Sequence, residues 1–187
     1  MRKAAALLMA AALCFACFTG CTGKKQEEGL AAQVVMKSDR FEITGDMFQY
    51  YLSDNYKSYC QEYSAYLSYI LDTSMPLKNQ ECAIGSTEGM TWFDFFVDQT
   101  VLSASMFVTL AEAALEANME LSKEDKAEIE DQLTQIEDIG KEQGYDSIDS
   151  FLKDVYGDMV TRKTLEKCFE IHLLASEYYA YLYNGYE

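Results

Sequence analysis

"TWFDFFVDQTVLSASMFVTLAEAALEAN", residues 91–118, decides the fold. Trp92, Phe93, Phe95, Phe96, Val97, Val101, Leu102, Met106, Phe107 and Leu110 leave a helix over this stretch little polar face. A helix apolar nearly all round is normally covered by other elements. The stretch therefore predicts the central helix of a mainly α domain, with Thr91 as its N-cap. Asp94, Asp98 and Gln99 interrupt it, which argues against a membrane span, where about 20 largely apolar residues are needed.

Upstream, Phe48, Leu52, Tyr56, Tyr59, Tyr63, Tyr66 and Ile70 recur at spacings of three and four. That stripe predicts a first helix from about Asp46 to Leu71. Seven of the fourteen tyrosines lie in it. Residues 72–90 contain Pro76, the only proline, and read as a long surface loop. Downstream, Ser122-Lys-Glu-Asp is close to a capping box and opens a third helix. Ile129, Leu133 and Ile136 give it a narrow apolar stripe, and its acids from Glu124 to Asp138 mark a solvated face. Gly144 ends that helix, Ser147 starts a short fourth one that stops at Gly157, and Thr161 caps a last helix from about Arg162 to Tyr183. Leu165, Cys168, His172, Ala175, Tyr179 and Leu182 line one side of this last helix. Strand material is confined to Gln33–Thr44, where Val34–Lys37 and Arg40–Ile43 flank a Ser38-Asp39 turn. The expectation is a short N-terminal β-hairpin followed by about five helices.

Residues 1–20 differ in kind. Arg2 and Lys3 precede an apolar run from Ala4 to Phe18, too short for a comfortable span and right for a signal peptide. Phe18-Thr19-Gly20-Cys21 resembles a bacterial lipobox, which implies cleavage before Cys21 and a diacylglycerol on its thiol. Residues 21–32 then read as a flexible tether and 33–187 as one domain. The expected location is the outer face of the cell membrane, held by a lipid anchor.

The formal net charge is −16, and −18 without Arg2 and Lys3. Such a chain repels nucleic acid and anionic headgroups, so no nucleic-acid partner is expected. Cys60, Cys82 and Cys168 follow Cys21, an odd number that is no disulfide framework. There is no CxxC, no HExxH and no Gly-rich phosphate loop. His172 lies four residues after Cys168, a spacing compatible with metal, but no second conventional ligand pair accompanies it. Asp94 and Asp98 lie one helical turn apart with nothing nearby in sequence to complete an acid–base site. The expectation is no metal and no cofactor.

The order "FEITGDMFQYY", "MPLKNQ", "TWFDFFVDQTV", "AALEANMELSKEDKAEI" and "GYDSIDSFLKDVYGDMVTRKTLEK" resembles the N-terminal region of PrsA-like and SurA-like extracytoplasmic foldases over roughly residues 33–185. "LEANMELSKEDKAEI" and "FLKDVYG" are its most specific parts. The resemblance implies a SurA N-terminal or trigger-factor-like peptide-binding domain, and unfolded or nascent exported polypeptides as partners. Family members usually continue into a parvulin-type prolyl isomerase domain with paired histidines. Here the sequence ends at Glu187 and holds the single histidine His172, so no isomerase residue carries over. Two other functions stay open: an adaptor or structural surface lipoprotein with one fixed partner, and an isomerase foldase lacking its catalytic part.

Tyrosine combines a large apolar face with a polar tip at low rotamer cost. Rings on several faces of the first helix and of the last one cannot all pack inward. Tyr50, Tyr51, Tyr69, Tyr178 and Tyr181 are the expected peptide-binding rings, and Cys21 the lipidation site.

Overall fold

The structure, a computed structural model, describes residues 29–84 and 89–184. It is mainly helical with one two-stranded antiparallel sheet. The chain forms two compact units, one of Met1–Tyr50 with Met106–Glu187 and one of Tyr51–Ser105.

In the first unit, β1 (Val34–Lys37) pairs with β2 (Glu42–Thr44), Met36 opposite Ile43 and Lys37 opposite Glu42. The second strand starts two residues later than the sequence suggests. Ser38–Phe41 forms the turn, closed by the Ser38 N–H on the Phe41 carbonyl at 2.9 Å and the Phe41 N–H on Ser38 Oγ at 3.1 Å. The serine side chain does here what a glycine-bearing turn does elsewhere.

Helix α1 (Gly45–Glu62) follows directly. Asp46 in its first turn accepts from Thr44 Oγ1, and its other oxygen accepts from the buried Thr164 hydroxyl at 2.8 Å. The N-terminus of α1 is thereby tied to the last helix, and the carboxylate also complements the positive end of the helix dipole. Gly45 is required by close approach: a Cβ there would lie 2.1 Å from the Leu30 carbonyl oxygen.

The remaining helices of this unit match their sequence signals. Helix α4 (Lys123–Glu142) begins with a complete Ser122/Asp125 capping box, and α5 (Ile148–Tyr156) with a Ser147/Ser150 one. Thr161 Oγ1 accepts from the Thr164 N–H at the start of α6 (Arg162–Asn184). The three helices pack on one another. Ile129, Leu133, Phe151, Leu152, Leu165, Cys168 and Ile171 are buried there, and Gly140 lets Phe151 approach α4 closely. Gly157 ends α5 at φ +110°, with the Gln49 side chain against it. Gln49 Oε1 in turn accepts from the Met159 N–H at 2.9 Å.

In the second unit the expected first helix is shorter than its stripe. It stops at Glu62, residues 63–66 form turns, and α2 is only Leu67–Ile70. Tertiary contacts anchor the far side of this break. Trp92 Nε1 donates to the Ile70 carbonyl at 3.1 Å, and Leu71 is buried with Trp92 and Phe96. Residues 72–84 form the expected loop, with a single 3₁₀ turn at Leu77–Asn79 and a bridge of Glu81 to Thr91. The Gln80 side chain ties it together through Asp72 and Met75.

Helix α3 (Trp92–Glu116) starts at Thr91, whose N–H and hydroxyl both donate to Asp94 and whose oxygen accepts from the Asp94 N–H. Asp94 is thus a helix-end residue. The central, covered helix that its composition suggests is not what forms. One stripe is buried (Trp92, Phe96, Thr100, Ala104, Val108, Ala111), while Leu102 and Met106 on another face are 64% and 53% exposed. Among the described helices it is the one long and apolar enough to cross a membrane by length and composition.

Candidate functional site

Tyr50 and Tyr51 correct the expected peptide-binding set, because they are core residues at 6% and 3% exposure. The Tyr50 ring lies 5.1 Å from that of Tyr156 and meets Phe169 edge-on at 6.4 Å. Neither ring is available to an incoming chain.

Tyr69 and Tyr181 are exposed, at 84% and 60%. Tyr178 is half-buried, with its ring 6.1 Å from Tyr181. Each lies within one unit. Tyr69 belongs to the second unit, where Tyr66 is also exposed and Tyr59 turns inward onto Trp92, Phe95 and Phe96. Tyr178 and Tyr181 belong to the first, and from Tyr179 to Asn184 every residue of α6 is exposed. Tyr179 and Leu182 are therefore not part of the inner stripe of α6, as their spacing suggests, while Leu165, Cys168 and Ala175 are. Tyr66, Tyr179 and Tyr183 are exposed rings missing from the expected set. Their signal is the charge-free run "YYAYLYN" and the turn at 63–66. Cys21 lies outside the described residues.

The first unit also holds a cleft of about 430 Å³ that sequence reasoning missed. The buried Met47, Ile171 and Leu174 line it together with Phe41, Leu115 and Leu121. Glu42, Glu120, Lys126, Lys167 and Glu170 supply its charges. Its residues come from the hairpin, α1, the α3–α4 region and α6, so no single periodicity could announce it.

Titratable groups are arranged for packing. Burial lowers the His172 pKa to about 4, and its ring lies 4.1 Å from that of Phe107. Cys168, one turn earlier, is fully buried. Among the described residues no three His, Cys, Asp or Glu side chains come together as metal ligands. Burial, then a hydrogen bond with Cys60, pushes the Tyr56 phenol up to about 12. Asn55 Nδ2 donates to Thr100 Oγ1 and Ser103 Oγ, both at 3.1 Å, and Thr100 Oγ1 donates on to the Phe96 carbonyl. This satisfied network locks α1 to α3 within the second unit. The acids of α4 face solvent, where Lys141 pairs with Glu137 and Asp138, and Glu130 with Arg162.

The arrangement offers exposed aromatic surface and an apolar cleft with a charged rim, which suits reversible binding of apolar chain segments. Comparison with protein-family models, with curated proteins and with solved structures finds no match to this chain.

Proposed function

We propose that this chain is a lipid-anchored extracytoplasmic chaperone of SurA-like architecture that holds apolar segments of newly exported, unfolded proteins. Binding is reversible, independent of ATP and driven by apolar burial. The acidic body, at net charge −18 without Arg2 and Lys3, keeps client complexes apart in solution.

The observation that carries the reading is the exposed aromatic surface at Tyr66 and Tyr69 in one unit and at Tyr179, Tyr181 and Tyr183 in the other. A fully covered tyrosine buries roughly 150–250 Å², at about 25 cal/mol per Å². Three or four rings partly covered by a client thus supply several kcal/mol before ordering costs, which suits weak and varied binding. The order of a hairpin followed by helices, the lipobox-like Thr19-Gly20-Cys21 and the resemblance of "LEANMELSKEDKAEI" and "FLKDVYG" support the same reading.

The test is suppression of aggregation of an unrelated, chemically unfolded protein by residues 21–187 carrying Cys21→Ser. Tyr66, Tyr69, Tyr179 and Tyr181 are changed to Ser together. Suppression should fall severalfold while the melting temperature moves little. A wild-type chain that suppresses nothing, yet retains one partner stoichiometrically from its own membrane, would replace the chaperone by an adaptor.

A further inference from the structure

We propose that Cys60 and Cys82 are a modification site: in an oxidising compartment they join in an intrachain disulfide, while Cys168 stays a thiol. The proposal goes beyond the chaperone reading and rests on it only for the oxidising surroundings, where disulfides persist.

The structure sorts the three described cysteines, none of them joined in a disulfide, into two kinds. Cys168 is wholly buried in the first unit, out of reach of an oxidant. Cys60 and Cys82 are half-buried, belong to the second unit, and both pack against the cluster of Leu71, Trp92 and Phe96. The backbone brings them there from two sides. Cys60 lies in the last turn of α1, next to Tyr59, whose ring is 5.6 Å from that of Trp92. Cys82 lies beside the start of α3. Its N–H donates to the Met90 carbonyl at 2.8 Å, Glu81 pairs with Thr91, and the Trp92 N–H donates to the Gln80 carbonyl at 3.1 Å. Burial, then Tyr63, Cys82 and Cys60, raise the Tyr59 phenol, so one tyrosine feels both thiols.

Each sulfur is held only locally. Cys82 Sγ donates to the Ile84 carbonyl at 3.0 Å, two residues on, and Cys60 bonds to Tyr56, one turn back on the same helix. A side-chain rotation releases either sulfur without disturbing the fold. The chemistry is exchange with an external disulfide, protein-borne or of the glutathione class. One cysteine thiolate attacks a sulfur of that disulfide, whose S–S bond breaks and whose other sulfur leaves as a thiolate. The second cysteine thiolate then displaces the sulfur still attached. Cys60 and Cys82 together lose two electrons and two protons, which the oxidant takes up as two thiols. The new bond closes residues 60–82 into a ring that contains the turns at 63–66, α2 and the exposed Tyr66 and Tyr69. Such a ring restricts the unfolded second unit and thereby favours the folded one.

The experiment uses residues 21–187 carrying Cys21→Ser, equilibrated in oxidised glutathione or in dithiothreitol, then alkylated, denatured and digested. Trypsin cuts after Lys57 and Lys78, so Cys60 and Cys82 fall on separate peptides, 58–78 and 79–123. Mass spectrometry should find these two linked, lighter than their sum by two hydrogens, with the linkage absent from the dithiothreitol sample. The melting temperature followed by Trp92 fluorescence should rise on the order of 10 °C on linkage. Links through Cys168, chains joined to one another, or glutathione left on a single cysteine overturn the proposal and leave the chaperone reading untouched. A linked chain that melts no higher than the reduced one overturns it as well, since the bond is then made at the expense of the Trp92 cluster. A second arm quenches cells making the full chain in acid and alkylates them before lysis, and should show the same linked peptides. Thiols still free in those cells, despite linkage in glutathione, overturn the site as a physiological one and count against the extracytoplasmic location. Linkage in both arms by a chain that suppresses no aggregation leaves the disulfide and removes the chaperone.

Discussion

His172 sits on α6 against Phe107, and its burial has a thermodynamic consequence. The folded-state pKa of about 4 lies below the ordinary value of 6.5. Between these values the unfolded chain binds the proton more readily, so stability rises with pH. The contribution is complete above pH 6.5 and is lost as pH falls toward 4, reaching about 3 kcal/mol for this shift. His172→Phe should therefore remove part of the acid sensitivity. Urea unfolding of both proteins at pH 7 and pH 4.5 checks it, and equal losses in the two would refute it. Tyr50 makes a second prediction at this scale. Because its ring packs on Tyr156 and Phe169, Tyr50→Ser should cost about 3 kcal/mol or more. Tyr69→Ser should stay within about 0.5 kcal/mol, since that ring is exposed. Thermal melts of the two variants side by side decide the matter.

Among elements, the junction of β2 and α1 is the least forgiving. Gly45 donates its N–H to the Gln33 carbonyl at 2.9 Å and faces the Leu30 carbonyl, a backbone atom that cannot swing aside. Gly45→Ala should cost about 2 kcal/mol although alanine is the better helix former. Chemical denaturation measures it, and a neutral or stabilising effect would mean that residues 29–33 yield easily. Helix starts were the most legible feature of the sequence. Ser122, Ser147, Thr161 and Thr91 all cap where their spacing suggests, because capping is settled within four residues. The end of α1 was not legible, because the apolar stripe runs on past Glu62 into residues 67–70 and periodicity does not register the turns at 63–66. The exposed side of α3 was hidden for a related reason. Apolar residues surround that helix, and periodicity cannot say which of them neighbours will cover. Of the candidate site, the exposure of Tyr69 and Tyr181 could be anticipated, but the inward turn of Tyr50 and Tyr51 depends on partners far along the chain. The cleft depends on four separate stretches and leaves no local trace.

For the whole molecule, the proposed anchor and the acidic body make a joint prediction. Cys21→Ser, exported behind a leader that is cleaved without a lipobox, should move the protein from the membrane fraction to the supernatant without changing its far-ultraviolet spectrum. Fractionation with a fatty-acid label checks it, and equal labelling of variant and wild type would remove the anchor from the proposal. The net charge of −18 without Arg2 and Lys3 leaves little electrostatic attraction to anionic lipid that could retain the variant. The chain also has only one tryptophan, and Trp92 is wholly buried in the second unit, bonded to Ile70 and flanked by Tyr59, Phe95 and Phe96. Its fluorescence is thus a private reporter. Emission excited at the red edge of the aromatic band comes from residues 51–105 alone, while circular dichroism is weighted toward the long helices of both units. The two signals, read in one denaturant titration, separate a loss of order in the tyrosine-bearing second unit from a loss of order elsewhere, with no label added to the protein.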